Sequence, residues 1–149
     1  LNFEDWAADR RAAFLDAPIE TLDRSAGRLD EFAAEADTWY ENYLTAKQES
    51  DAAFEQIAEI EDEDERSRFR EENWLPLANQ TGNAVLNYRY YALSALSLRR
   101  YVLGPMYMEM RTRNILEQTE DYQTFIERFD SIVTGFEDEF SRYLEEWDL

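Results

Sequence analysis

A chain of 149 residues with 34 Asp or Glu against 15 Lys or Arg carries a formal charge of −19, and it contains neither Cys nor His. Those two absences exclude disulfides, thiolate zinc sites, iron–sulfur clusters, cysteine nucleophiles and imidazole acid–base chemistry. They also exclude the Glu-x-x-His pairs of di-iron helical bundles. Catalysis would fall to carboxylates, tyrosines, arginines or the single lysine, Lys47. The expectation is a protein that is not an enzyme and has no cofactor and no metal site.

A hydrophobic content of 44% fits one folded domain over residues 1–149 and not an acidic disordered chain. Four Gly and three Pro are too few for an all-β fold. Asn2 stands as the cap of a first helix, with Asp5 completing a capping box and Leu1 stapling to Trp6. Phe3, Trp6, Arg10 and Phe14 follow at helical spacing. Asp16–Ala17–Pro18 ends that helix and opens the next, with Pro18 in the tolerated first turn. In the second helix Ile19, Leu22, Ala26, Leu29, Ala33, Ala36, Tyr40 and Tyr43 alternate steps of three and four. That is the period of helices packed lengthwise. The register runs on through Lys47 and Ser50 to Phe54 and Ile57, with the helix continuing to about Ile60 or Ser50 capping a new one.

Glu61–Glu65 is an unbroken acidic run, followed by Arg66, Arg68 and Arg70 at pairing distance, and reads as a turn and then a short helix reaching Trp74. Pro76 is expected to open a central helix along Leu77, Thr81, Ala84, Tyr88, Tyr91, Ala95, Leu98 and Val102. A second row, Leu86, Leu93, Leu96 and Leu103, predicts that this helix is buried on several sides. Gly104–Pro105 is expected to break it before a short helix with Met106, Met110 and Leu116. The last helix, capped at Thr119, carries Tyr122, Ile126, Phe129, Val133, Phe136, Phe140, Tyr143 and Trp147 in one seam. Glu145, Glu146 and Asp148 crowd its negative end, an arrangement that strong salt makes harmless. The predicted fold is all-α: an elongated antiparallel up-and-down helical bundle with coiled-coil-like heptad seams.

Charge is unevenly spread. Residues 1–80 hold 22 acids and 8 bases, residues 117–149 hold 11 and 2, but residues 81–116 hold one acid, Glu109, against five arginines. Arg and Tyr are the residue types enriched in binding hot spots. The candidate interface is therefore Tyr88, Arg89, Tyr91, Arg99, Arg100, Tyr101, Tyr107, Arg111 and Arg113. The alternative use of these arginines is pairing with acids of the same chain. A polar row on the same helix, Asn83, Asn87, Tyr90, Ser94, Ser97 and Tyr101, suits a small-ligand pocket or a helix contact.

The acidic run lacks the glycine and the spacing of an EF-hand and reads as a solvated surface decorated by cations. There is no Gly-rich phosphate loop and no Gly-x-Ser-x-Gly, while Asn79–Gln80–Thr81 matches a glycosylation acceptor. The most apolar stretch, Tyr90 to Leu98, is far shorter than the ~20 residues of a membrane span. Thirty-four acids with one lysine resemble the surfaces of proteins from salt-loving archaea and their viruses. The reading that follows is a non-catalytic structural or assembly protein, such as a virion, connector-like or filament component. It contacts other protein chains or copies of itself, not nucleic acid; the sequence does not fix its compartment, with the cytoplasm or a virion favoured over secretion or a surface location. A sensor or ligand-binding bundle and an acidic DNA mimic are the alternatives.

Overall fold

A computed structural model describes residues 8–146. Among the described residues the chain is helical throughout, with no strand, and five of its helices pack against one another. Leu1, Asn2, Phe3, Asp5, Trp6, Trp147 and Asp148, to which the sequence assigns capping, stapling and seam positions, lie outside them. The helices are α1 (Ala8–Asp16), α2 (Pro18–Glu59), α3 (Glu63–Phe69), α4 (Leu75–Leu98), α5 (Gly104–Leu116), α6 (Tyr122–Gly135) and α7 (Glu137–Glu145). Contacts divide the chain into two compact units, one of residues 8–33 with 92–146 and one of residues 34–91.

α1 and α2 meet at Ala17 as the sequence anticipates, the Thr21 N–H bonding back to the Ala17 carbonyl at 3.0 Å. α2 then runs without interruption to Glu59. Ser50 is buried inside it and caps nothing. The seam holds through Leu22, Leu29, Ala33 and Ala36, but beyond Tyr43 the buried line is Ala46, Ser50 and Ala53, not Lys47 and Phe54. Small side chains are the ones a close neighbour can cover, and Lys47 turns to solvent and donates to Asp51 at 2.8 Å.

The acidic run closes the turn after α2. Asp62 accepts the Glu65 backbone N–H at 2.9 Å as the cap of α3. Arg66 does not pair with the acids but donates to the carbonyls of Ile60 and Glu61, each at 3.1 Å, which a helix end otherwise leaves to water. Asp62→Ala is expected to lower stability by about 0.5–2 kcal/mol in urea unfolding, the usual effect of losing a cap. An unchanged midpoint would show the cap to be idle.

Neither proline behaves as the sequence suggests. α3 passes into α4 through a π-helical turn, Arg70–Trp74, and α4 passes into α5 through another, Arg99–Leu103. The Leu75 N–H reaches back to the Arg70 carbonyl and the Gly104 N–H to the Arg99 carbonyl, five residues each. Pro76 and Pro105 each stand two residues past the end of such a turn. Widening the turn eases the clash between a proline ring and the carbonyl four residues earlier, so helix continues where a break was expected. Gly104 is itself helical, with φ −58° and ψ −52°.

Each π turn adds a residue to the step between inward-facing side chains. Half-buried Phe69 is followed after five residues by half-buried Trp74, and buried Leu98 after five by buried Leu103, with the sequence-expected Val102 half-buried. Met106 and Met110 continue the row into α5. The row Leu86, Leu93, Leu96 and Leu103 is not a second buried side: Leu86 is 68% and Leu93 50% exposed.

The last predicted helix is two. Phe136, at φ −108° and ψ 7°, ends α6 and begins α7. Asp121, not Thr119, holds the N-cap position of α6, and the Thr119 N–H donates to the Asn114 side chain at 3.2 Å. Phe125, outside the expected seam, is the fully buried residue of α6, while Ile126, Phe129 and Val133 are half-buried. Phe125 meets Phe14 edge-on with centroids 6.0 Å apart and lies 6.2 Å from Phe129. Phe140 and Tyr143 of α7 are buried as expected. In the other unit, Tyr40 packs on Tyr88 at 5.3 Å and Phe54 on Trp74 at 6.0 Å.

Candidate functional site

The arginine–tyrosine segment divides by what each side chain touches. Tyr88 is fully buried against Tyr40 and presents no surface to a partner. Arg89 and Tyr91 are half-buried, and Tyr91 meets Tyr90 edge-on at 5.1 Å. In the other unit, Tyr107 packs on Phe129 at 5.0 Å and ties α5 to α6. Arg99, at the start of the second π turn, lies over the Phe140 ring at 4.7 Å, a cation–π contact that fastens α7.

Arg100, Arg111 and Arg113 are exposed, as is Arg99, with Arg100 lying over the half-buried Tyr101 at 5.3 Å. Arg113 donates to Glu109 one turn earlier at 3.0 Å, so the acid of this basic segment is used within its own helix. The unpaired charge of this surface therefore rests on Arg100 and Arg111 more than on Arg113.

From the sequence, Met106, Met108 and Met110 offer adaptable apolar contact beside these arginines, and the structure keeps one of the three and adds Ile115 and Leu116. Met106 and Met110 are buried, leaving Met108 as the exposed methionine, with Ile115 74% and Leu116 76% exposed beside it. Met108, Arg111 and Ile115 follow steps of three and four along one face of α5. The spacing was visible in the sequence, but the side that neighbouring helices cover was not.

A second feature lies wholly within the unit of residues 34–91. Trp39, Asn42, Thr45, Ala46 and Glu49 of α2 with Gln80, Asn83 and Ala84 of α4 line a groove of about 320 Å³. The buried alanines Ala46 and Ala84 leave the space. Of the expected polar row only Asn83 reaches it. The Asn87 amide donates to the Asn83 carbonyl at 2.9 Å and to its Oδ1 at 3.2 Å, which fixes the Asn83 side chain. The α2 side could have been found from Trp39, Asn42, Ala46 and Glu49, spaced three, four and three beside the alanine seam.

Lys47, one of the residue types left for catalysis, is exposed, and its hydrogen bond to the Asp51 carboxylate raises its pKa above the usual lysine value. That shift holds the amine protonated, the opposite of what nucleophilic chemistry requires. Among the described residues no group of carboxylates is arranged to hold a metal ion, and no helix is long and apolar enough to cross a membrane. No family model, curated protein or solved structure matches this chain.

Proposed function

We propose that the chain is a non-catalytic assembly protein that docks onto other protein chains, a second copy of itself included, through the Arg99–Leu116 stretch. One observation carries the reading: α5 leaves Met108, Ile115 and Leu116 exposed on the same stretch that concentrates Arg99, Arg100, Arg111 and Arg113 against one acid. Apolar side chains interleaved with arginine are the composition of interface centres. On a chain of net charge −19 most approaches of two copies are repulsive. The basic stretch of one copy facing an acidic helix of another is the attractive approach. It joins unlike surfaces, and such contacts close into rings or run on as filaments.

The finer architecture belongs to the same proposal. Lengthwise seams on α2 and α4 suit an elongated antiparallel bundle, a shape fit for a connector or filament. Thirty-four acids with one lysine suit a salt-loving archaeon or one of its viruses.

Replacing Arg100, Arg111 and Arg113 together by Gln tests the contact while sparing Arg99, which serves the fold. Light scattering in molar KCl is expected to give a wild-type mass above the 17.7 kDa of one chain. The triple variant is expected at that mass with helical circular dichroism unchanged. A wild type that stays at one-chain mass and retains no other protein from its native source would overturn the reading.

A further inference from the structure

The groove between α2 and α4 in the unit of residues 34–91 is independent of the α5 surface, and its chemistry points to a ligand. We infer that it binds a small linear organic cation, an alkylammonium, held by the Glu49 carboxylate, the Trp39 ring and the side-chain amides of Asn42 and Gln80. The volume of about 320 Å³ lies at the lower end of small-molecule sites, which run from about 300 to 1,000 Å³. Trp39 and Glu49 are ten residues apart on α2, about 15 Å of rise, so the lining runs lengthwise along the helix.

The lining decides the sign of the ligand. It contains one formal charge, Glu49, and neither arginine nor lysine. Anions therefore meet no cationic partner there, and the field of a −19 chain concentrates cations at its surface. Asn42, Gln80 and Glu49 supply carbonyl and carboxylate oxygens that accept from an ammonium group. Trp is the aromatic side chain best suited to a cation over its face, and the alanine floor accommodates a methylene chain. A bare metal ion fits poorly, because one carboxylate among amides falls short of the six to eight oxygens that calcium takes.

The probe is 1,8-diaminooctane, long enough to reach from Glu49 to Trp39, titrated by calorimetry into the whole chain at fixed ionic strength set with KCl. The neutral isostere 1,8-octanediol serves as the comparison. Saturable binding of one diamine per chain is expected, with no heat from the diol. Glu49→Gln is expected to weaken binding about tenfold, and Trp39→Leu similarly. Glu49 is exposed, so Glu49→Gln keeps the fold testable by circular dichroism if Trp39→Leu does not. Three results would overturn the proposal: no saturable heat with the diamine, equal binding of the diol, or diamine binding indifferent to Glu49→Gln. The last would mark a diffuse counterion cloud, and equal diol binding a neutral polyol site.

Discussion

Lowering KCl from molar to about 10 mM, where the Debye length grows from about 3 Å to about 30 Å, is expected to strip the protein of stability. Helical circular dichroism is expected to fall, or the melting temperature to drop by about 10 °C or more. The motive is where the acids sit. All described Asp and Glu residues are exposed except Glu109, Glu139 and Glu146, which are half-buried. Along α2, Glu31–Glu35, Asp37–Glu41, Asp51–Glu55 and Glu55–Glu59 place like charges one turn apart. At roughly 0.2–0.5 kcal/mol each, these four pairs cost α2 about 1–2 kcal/mol in dilute buffer. Repulsion across the whole −19 chain adds to that. Ion pairing returns little of it. Arg24–Glu20 and Lys47–Asp51 are exposed one-turn pairs, Arg113–Glu109 and Arg142–Glu146 are one-turn pairs to half-buried acids, and Arg128–Asp23 is half exposed on both sides. A melting temperature constant from molar to millimolar KCl would end the halophile proposal.

Phe125→Ala is expected to destabilise the chain by about 3–5 kcal/mol in denaturant unfolding, measured in molar KCl. Phe125 has no exposed surface and is wedged between Phe14 and Phe129. Phe136→Ala is expected to cost clearly less, because Phe136 is half-buried at the junction of α6 and α7. Leu86→Ala is expected within about 0.5 kcal/mol of wild type, since its side chain is largely in solvent. The order of the three separates the observed packing from the single uninterrupted seam of the sequence reading, in which Phe129 and Phe136 sit at mid-seam and Phe125 sits off it. A Phe125→Ala loss below that of Phe136→Ala would contradict the burial described for α6.

Helix content, the α1–α2 junction at Pro18 and the first half of the α2 seam were all legible in the sequence, which left open whether α2 continues past Ser50. Each rests on interactions within a few residues: apolar side chains repeating every three or four positions, a proline in a tolerated first turn, the scarcity of glycine. What the tertiary structure decided is which repeats are covered and where the phase slips. The five-residue steps Phe69–Trp74 and Leu98–Leu103 coincide with π turns before Pro76 and Pro105. A strict heptad reading assigns Val102 to the seam and treats both prolines as boundaries. Phe136 splits the last helix and brings Phe125 inside. The candidate surface shifted for the same reason. Tyr88 and Tyr107 became packing residues, Arg99 became a fastener for α7, and the apolar Met108, Ile115 and Leu116 came to the outside. Periodicity is a property of one helix, whereas burial belongs to a helix and its neighbours together. A sequence can therefore announce an apolar face without stating whether another helix of the same chain will cover it.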